Sequence, residues 1–283
     1  MAISITNLSK HFAAEIKGIS LSQAVVDSDF ADILRAFNEY SVLVFRDQSI
    51  TDEQQISFSE RFGPLETTVN SNPAGGGTVV TILSNVDENN QVIPPEDKRM
   101  IFNTGNQMWH TDSSFKRIPA LMSLLSGREV PVVGGETEFA TMRGAYESLT
   151  CARKRSIENL VCIHDFAYSR ALIDPNLLRS QDKYEVPPVP QAMVRQNPTN
   201  GFKNLFLGAH ASYIREMCLT KGRRLISELN RKIIHLDFVY SHKWRRNDLV
   251  VWDNRTVLHR GRPWERTQKR VMHRTTVVGS STV

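Results

Sequence analysis

Short segments rich in β-branched and aromatic residues recur along the chain, and they constrain the fold more than any other feature. Their length and the turn residues between them predict strands. These strands are placed at 120–126, 136–140, 192–195, 203–208, 248–252 and 270–278, after earlier ones in "SVLVFRD" (41–47) and at 78–83. The chain is therefore expected to be mainly β.

Helical patterns lie mostly outside these strands. Residues 27–39 and 51–61 carry apolar side chains at helical spacing, and Thr51 with Gln54 forms a capping-box pattern. Further helices are predicted near 141–149, 152–160 and 221–234. Many short strands surrounded by helices favour a sandwich or jelly roll decorated by helices. Since no linker is visible, we expect residues 1–283 to form a single domain.

Two loop-rich segments, near 66–100 and 166–190, are expected to act as lids. The glycines of the first segment, 75–77, lack the Lys-Ser/Thr that follows a phosphate-cradling loop. From Phe62 to Asp97 the chain contains no Lys, Arg or His. Any anion that binds beneath this lid must therefore be recognised by groups elsewhere in the chain or by backbone N–H groups.

The composition, with 40% hydrophobic and 23% charged residues, is that of a globular protein with a full core. The net charge of +5 and the basic clusters at 153–156, 221–224 and 242–246 raise the question of nucleic-acid binding. Solvated helix faces, or a pocket for an anionic small molecule, explain the charge equally well. Three widely spaced cysteines, no apolar run of membrane-spanning length and no signal-peptide core predict a cytoplasmic protein without a membrane partner.

A histidine and an aspartate lie two residues apart in "NQMWHTDSSF", as His110 and Asp112. On an extended segment both side chains would point to one face and could bind one ion. A predicted strand–turn–strand, "DLVVWDNRTVLHRG", adds His259. Two histidines and a carboxylate form the facial triad of non-heme Fe(II) sites, whereas structural zinc requires four ligands, usually including cysteine. The pair alone is a weak signal, because a strand histidine that is hydrogen-bonded to a nearby aspartate has the same spacing.

Two arginines in the last predicted strand strengthen the interpretation as a metal site. Arg270 and Arg274 are four residues apart, and even spacing places both on one face with Met272. Two guanidiniums that face a barrel interior would be costly unless they bind anions. Either arginine alone could instead be exposed on an edge strand.

Several stretches together resemble the Fe(II)/2-oxoglutarate dioxygenases of the taurine dioxygenase group. They are "WHTD" (109–112), "GGETEF" (134–139), "WDNRTVLHR" (252–260) and "RVMHRTTV" (270–277), and the similarity extends to "SVLVFRDQ" (41–48), "QQISFSERFGPLE" (54–66) and "LGAHAS" (207–212). These stretches are most similar to the 2,4-dichlorophenoxyacetate (aryloxyalkanoate) branch. The resemblance implies a double-stranded β-helix (jelly roll, cupin-like) core, bound Fe(II), and 2-oxoglutarate and O₂ as co-substrates.

Carried over to this chain, the resemblance makes His110, Asp112 and His259 the iron ligands. It implies that Arg270 holds the distal carboxylate of 2-oxoglutarate and that the Thr137 hydroxyl hydrogen-bonds to the same group. A planar guanidinium suits this role because it matches a carboxylate bidentately, which lysine cannot do. The carboxylate of Asp112 also favours hydroxylation, since related halogenases replace it to make room for halide.

The same resemblance assigns two residues to the region of the substrate. Arg274 would face either the substrate's anion or the metal-binding end of 2-oxoglutarate. Asn106 would line the substrate pocket, although a turn residue that caps its own backbone is an alternative. The remaining histidines are left out of the site, and a core hydrogen bond is expected even for the two that could reach a pocket, His164 and His210; the others are His11, His235, His242 and His273.

The implied reaction is hydroxylation of an aryloxyalkanoate next to its ether oxygen, which gives a phenol, glyoxylate, succinate and CO₂. The substrate would be a small anionic aromatic molecule. Alternatives are a taurine-type sulfonate dioxygenase, a nucleic-acid-directed oxygenase and a non-catalytic metal-binding barrel, in which Arg270 and Thr137 would have no purpose. We expect a homo-oligomer that does not bind nucleic acid.

Overall fold

A computed structural model describes residues 3–10, 12–70, 72, 74–178 and 184–280. Within them the helices are α1 (Asp27–Tyr40), α2 (Asp52–Glu60), α3 (Lys98–Asn103), α4 (Met142–Glu147), α5 (Cys151–Ile157), α6 (Phe166–Ala171) and α7 (Leu219–Ile233), with 3₁₀ turns at Thr104–Gln107 and Leu236–Phe238. The strands are β1 (Ser4–Asn7), β2 (Ala14–Lys17), β3 (Val42–Phe45), β4 (Thr81–Ser84), β5 (Ala120–Glu129), β6 (Thr137–Thr141), β7 (Val161–His164), β8 (Val189–Ala192), β9 (Val194–Gln196), β10 (Lys203–Leu205), β11 (Ala211–Ile214), β12 (Val239–His242), β13 (Leu249–Asp253), β14 (Val257–Gly261) and β15 (Val271–Val278).

The largest sheet has the strand order β1-β2-β3-β13-β5-β15-β4, and α1 and α2 pack on one of its faces. Leu43 and Phe45 of β3 pack with residues of α1 and α2 on that face. Val42 and Val44 point to the opposite face, as alternation along a strand requires. Both faces of β3 are therefore buried, which explains its continuous apolar sequence.

A smaller sheet, β12-β6-β14, packs against the uncovered face of the large sheet. Phe139 of β6 and Val257 of β14 share a hydrophobic cluster with Trp252 of β13. The next residue of β14, Leu258, points away from the large sheet and packs with residues of α4 and α7. His259 follows with its ring centroid 4.6 Å from that of Trp252, so this strand points a histidine at the large sheet.

The predicted helices and most predicted strands are confirmed to within a few residues at their ends. Thr51 caps α2, and both hydrogen bonds of the predicted capping box are present. The predicted mainly β class with surrounding helices is also confirmed. No helix in the described ranges is long and apolar enough to cross a membrane.

The prediction of one strand at 192–195 is wrong. The segment is divided at Met193, because β8 pairs with β7 whereas β9 pairs with β10. Met193 donates its backbone N–H to Leu160 and accepts one from Phe206, and its side chain is fully buried. A change of pairing partner at one buried residue leaves no mark in the hydrophobic pattern.

The segments expected to be lids contain short helices and strands, of which β4 corresponds to the predicted strand at 78–83 and α3 and α6 were not predicted. Residues 66–100 contain β4 and the start of α3, and 166–190 contain α6 and the start of β8. Residues 179–183 and His11 lie outside the described residues. Function as lids stays a prediction.

Acidification is expected to destabilise the fold through His164. This side chain is fully buried on β7 and stacks on Phe206, with ring centroids 5.4 Å apart. Burial, with a contribution from Arg195, lowers the pKa of His164 to about 3. Between pH 6.5 and pH 3 the unfolded chain therefore binds a proton that the folded chain does not, so stability falls as pH falls, by about 1.4 kcal/mol per unit for this residue.

Urea unfolding at pH 7 and pH 5 tests this expectation. The variant His164→Phe should lose less stability between the two values than the wild type, by about 2 kcal/mol. His235→Gln changes an exposed histidine and is the control, with an expected loss equal to that of the wild type. Identical losses in His164→Phe and in the wild type would contradict the assignment.

Candidate metal centre and its two cavities

An isolated antiparallel bridge joins His110 to His259 and brings two remote parts of the chain together. Each residue donates its backbone N–H to the carbonyl of the other, at 3.0 and 2.7 Å. Residues opposite each other in such a pair carry their side chains on the same side. The two imidazole centroids are consequently 4.2 Å apart.

Asp112 completes a group of three potential metal ligands. One ligand atom from each of His110, Asp112 and His259 can be chosen so that all lie within 4.8 Å of one another, and all three residues are buried. The Nε2 atoms of the histidines lie 3.9 and 3.7 Å from the carboxylate oxygens. The predicted triad is thus brought together by the fold.

The local geometry of Asp112 differs from the expectation. His110 is extended at its bridge, but a turn begins at Asp112, so the two residues are not neighbours on one strand. Thr111 points away from the centre and donates its hydroxyl to the carbonyl of Asn254 at 2.5 Å. The turn, together with this anchor, brings the carboxylate back toward the histidines.

A polar network positions the carboxylate of Asp112. Ser123 of β5 donates to Oδ2 at 2.7 Å, and Arg274 of β15 donates to Oδ1 at 2.6 Å. The Asn254 amide lies between the turn and the sheet: its Nδ2 donates to Ser123, and its Oδ1 accepts from the indole of Trp252. These partners orient the carboxylate before any ligand binds.

The charges of the centre favour metal binding at neutral pH. Burial would raise the pKa of Asp112, but the charge of Arg274 and the hydrogen bond from Ser123 lower it, and the pKa lies well below its usual range. Burial lowers the pKa of His110 and of His259. The centre therefore offers an ionised carboxylate and neutral imidazoles.

The tautomer of one imidazole follows from its partner. His110 Nδ1 lies 2.7 Å from the Met108 carbonyl, which can only accept, so Nδ1 carries the proton. The Nε2 atom, which faces Asp112, keeps its lone pair for a metal ion.

One cavity beside the centre, the Arg270 cavity, lies between the two packed sheets. Its lining includes Leu83, Asn106, His110, Thr137, Trp252, His259, Trp264, Arg266, Arg270 and Arg274. Arg270 is 8% exposed, its Nε has no hydrogen-bond partner, and burial lowers its pKa to about 10. Its guanidinium lies 5.2 Å from the Trp264 ring centroid, and Asn85 accepts its backbone N–H at 2.7 Å.

Thr137 also lines this cavity, and the hydrogen bond that its hydroxyl accepts determines where its proton can go. The indole of Trp244 donates to Thr137 Oγ1 at 3.0 Å. Because the oxygen already accepts this bond, its own proton is available to a further acceptor. The arrangement places a hydroxyl donor and a buried guanidinium in the same cavity.

A second cavity, the phenylalanine cavity, lies on the other side of the centre. Its lining includes Glu66, Val69, Phe102, Asn106, His110, Asp112, Phe115, Phe166, Arg170, His210 and Arg274. Asn106, His110 and Arg274 line both cavities, so the candidate metal site lies between them. Asn106 and Arg274 thus lie beside the centre, and their roles toward substrate and co-substrate stay predictions.

Comparison with known proteins identifies the family. Residues 4–276 match the family described as Taurine catabolism dioxygenase TauD, TfdA family. The chain belongs to the TauD/TfdA family. An alpha-ketoglutarate-dependent 2,4-dichlorophenoxyacetate dioxygenase from Cupriavidus pinatubonensis is 37% identical over 287 residues, covering 100% of both chains.

Two further relatives agree with this assignment. An (S)-phenoxypropionate/alpha-ketoglutarate-dioxygenase from Sphingobium herbicidovorans is 34% identical, over 98% of this chain and 96% of the relative. The crystal structure of AAD-2 in complex with Mn(II) and N-oxalylglycine has a TM-score of 0.92 and 39% identity, covering 99% of this chain and 98% of that chain. The resemblance drawn from the motifs is confirmed.

The residues of this TauD/TfdA member fit a divalent metal. Two neutral imidazoles and one ionised carboxylate are the donor set of an open non-heme iron site, and three protein ligands leave positions for other molecules. In the Arg270 cavity, the buried guanidinium has no carboxylate partner among the described residues. An anionic co-substrate beside the metal would supply one.

Several residues of the site were not predicted. Asn254 was considered only as part of the motif at 252–260, and Trp244 only as part of the basic cluster at 242–246. Ser123 could have been noticed as a polar residue inside an apolar strand. His210 was expected to make a core hydrogen bond; it does so with Ser169 at 2.9 Å, but it also lines the phenylalanine cavity. His164 lies in the core, and neither of its ring nitrogens makes the expected hydrogen bond within the described part of the chain.

Arg170 lies in the second predicted lid and was not considered for the site. No periodicity or motif in the sequence marks it as a residue that faces a cavity.

Metal binding should depend strongly on the ligand Asp112 and less strongly on Ser123, which hydrogen-bonds it. Asp112→Asn removes the charged ligand and should abolish Mn(II) binding, as followed by isothermal titration calorimetry. Ser123→Ala removes only a hydrogen bond to that ligand and should weaken binding roughly 10- to 100-fold.

The variant His273→Gln is the matched control. His273 is also on β15 and hydrogen-bonds an aspartate, Asp52, at 2.7 Å, but it lines neither cavity. Its Mn(II) affinity should equal that of the wild type. Retained affinity in Asp112→Asn would rule out this centre as the metal site.

Proposed function

We propose that this protein is an Fe(II)- and 2-oxoglutarate-dependent dioxygenase that hydroxylates aryloxyalkanoates at the carbon next to the ether oxygen. The observation that carries the proposal is an open three-ligand centre between two cavities, each with a buried arginine. The relatives named for 2,4-dichlorophenoxyacetate and phenoxypropionate, at 34–37% identity, support this substrate class.

The overall reaction balances as follows for an aryloxyacetate. One atom of O₂ enters succinate as 2-oxoglutarate loses CO₂, and the other enters the substrate C–H bond. The resulting hemiacetal breaks at its ether C–O bond and gives a phenol and glyoxylate. Bound Fe(II) would supply the activation of O₂, and the protein supplies binding, orientation and a dry site.

Two residues are proposed to hold 2-oxoglutarate in the Arg270 cavity. Arg270 would bind its distal carboxylate through the planar fork of the guanidinium, which lacks any other anionic partner in the described chain. Thr137 would donate its free hydroxyl proton to the same carboxylate, since Trp244 already occupies the acceptor side of that oxygen. Together they would fix the orientation of the co-substrate toward the metal.

Arg274 is proposed to act at the centre itself. It donates to the carboxylate of Asp112 at 2.6 Å and lines both cavities. From this position Arg274 would contact the metal-binding end of 2-oxoglutarate, rather than the carboxylate of the substrate. Asn106, which also lines both cavities, would separate the two bound molecules.

The finer architecture is also a proposal. We infer that the large sheet and the β12-β6-β14 sheet are the two sides of a double-stranded β-helix within a single domain, because one hydrophobic cluster joins them. Segments 66–100 and 166–190 would close over the phenylalanine cavity, where Val69, Phe166 and Val186 share a cluster. The backbone N–H of Asn70 also donates to Glu185 at 2.7 Å.

A cytoplasmic homo-oligomer without a nucleic-acid partner completes the proposal. Arg153 of the first basic cluster pairs with Glu228, and in the third cluster His242 is buried and Trp244 reaches inward to Thr137. These inward-facing and paired residues support the proposal that the basic clusters do not bind nucleic acid.

Affinity for 2-oxoglutarate should depend on both Arg270 and Trp244. Arg270→Gln loses a charge-assisted pair and should weaken binding roughly 10- to 100-fold. Trp244→Phe removes only the indole donor that orients Thr137 and should weaken binding about 2- to 10-fold. Anaerobic titration of the Fe(II) enzyme, followed by its visible charge-transfer band, measures both.

Tyr240→Phe is the control for this titration. Its hydroxyl bonds His242 on the strand next to β6 and does not line the Arg270 cavity. Affinity equal to that of the wild type is expected. If Arg270→Gln also bound 2-oxoglutarate normally, the assignment of the cavity would be wrong.

Substrate-dependent turnover tests the function. With Fe(II), 2-oxoglutarate and O₂, phenoxyacetate, 2,4-dichlorophenoxyacetate or 2-phenoxypropionate should stimulate succinate release with phenol formed in equal amount. Taurine should produce neither sulfite nor extra succinate. Sulfite from taurine without phenol from any aryloxyalkanoate would favour a sulfonate dioxygenase instead.

A further inference from the structure

Arg170 is a buried cation in the phenylalanine cavity, and no anionic group of the described residues pairs with it. It is 8% exposed and lies in α6, beyond the region of the metal ligands. Its Nη1 donates to the Phe102 carbonyl at 3.2 Å, and its Nε has no hydrogen-bond partner. No carboxylate in the described part of the chain contributes to its environment, where the neighbouring charge is the cation Arg274.

The other charged groups that line this cavity are paired with each other or with a neighbour. Glu66 accepts from Lys116 at 2.6 Å and from Ser113 at 2.5 Å. Asp112 accepts from Arg274 at 2.6 Å. Arg170 is therefore the lining cation whose charge remains uncompensated within the described residues.

The aromatic surroundings stabilise the guanidinium only in part. Its central carbon lies 4.6 Å from the Phe102 ring centroid and 4.8 Å from that of Phe166. Such contacts stabilise a guanidinium by less than the removal of its charge from water costs. An anion that enters the cavity would make up the difference.

The backbone beneath Arg170 is shaped to hold it. A Cβ atom at Gly105, in the 3₁₀ turn Thr104–Gln107, would lie 1.7 Å from Arg170 Nη1. The guanidinium thus occupies the space that a side chain would need at this position. The same turn carries Asn106, which lines the cavity next to His110.

Apolar walls beside Arg170 define the rest of the ligand. Phe115 and Phe166 have ring centroids 4.6 Å apart, and His210 lies 4.8 Å from Phe115. Burial, and then Arg170, lowers the pKa of His210 well below its ordinary value, so this ring is neutral and adds no second positive charge. Among the described residues, the cavity therefore combines one unpaired cation, Arg170, with aromatic surfaces and the candidate ligands His110 and Asp112.

We propose that Arg170 binds the carboxylate of the aryloxyalkanoate substrate through its guanidinium, while the phenylalanine walls hold the aryl ring. The inference rests on the proposed function and names the residue that selects the anion. It places recognition outside the segment from Phe62 to Asp97, which has no basic residue. Arg170 positions the carbon between carboxylate and ether oxygen at the metal and takes no part in the bond-breaking steps.

Paired substrates separate this role from a structural one. Phenoxyacetate carries the carboxylate, and phenoxyacetamide has nearly the same shape without the charge. Arg170→Met should lower kcat/KM for phenoxyacetate roughly 100-fold, mainly through KM, and change that for phenoxyacetamide less than about 3-fold. Arg170→Lys should fall between, because it keeps the charge but loses the planar fork.

Two further variants control the experiment. Gly105→Ala leaves the arginine in the chain but displaces its guanidinium, so it should reproduce the selective loss for phenoxyacetate. Arg223→Met removes an exposed arginine that lies over Tyr168 of α6, 5.3 Å from the ring centroid and outside both cavities. It should leave both kcat/KM values unchanged.

Binding measured without turnover distinguishes the possible failures. Calorimetry of phenoxyacetate with the anaerobic Mn(II)–2-oxoglutarate protein should show binding that Arg170→Met weakens roughly 100-fold. If the wild type binds in this way but forms no phenol, the proposed function fails and the role of Arg170 stands. Equal losses for both substrates in Arg170→Met, unchanged affinity, or no binding by the wild type would overturn the inference.

Discussion

The antiparallel bridge between His110 and His259 is the contact on which the rest of the site depends. It connects a turn-rich segment to a strand of the small sheet through two backbone hydrogen bonds. Backbone bonds cannot be changed by substituting side chains, so the spacing of the two imidazoles is a property of the fold. The side-chain network of Ser123, Asn254 and Arg274 then has only to orient one carboxylate against two rings that are already in place.

Buried positive charge is the second constraint. Arg170 and Arg270 are buried in the two cavities, and the partly buried Arg274 between them pairs with Asp112. An interior of this kind costs folding free energy, and each anion that binds recovers part of it. A dicarboxylate in one cavity and a monocarboxylate in the other would do so on both sides of the centre. The stability given up in the unliganded protein therefore becomes affinity for anionic ligands.

The parts of the structure that could be predicted are those that leave a local or periodic signal. The capping box at Thr51, the strand around His259 and the triad with its arginines follow from spacing and chemistry, aided by the family motifs. The turn at Asp112 and the division at Met193 depend on which strands pair, and pairing leaves no local pattern. Arg170 could not be predicted because its significance comes from Gly105 and Phe102, which meet it only in the folded chain.

The placement of these groups separates chemistry from recognition. Thr137, His259 and Arg274 lie on strands of the packed sheets, and Arg270 immediately precedes β15, so the metal and co-substrate groups share a rigid framework. The aromatic walls and Arg170 lie on α3, α6 and a turn outside those sheets. A substitution on α3 or α6 should alter what enters the phenylalanine cavity while the strands that carry these groups stay in place, whereas Phe115 shares its turn with Asp112. Substrate preference in this fold can therefore change through its short helices and loops, while the bridge and its three ligands remain as they are.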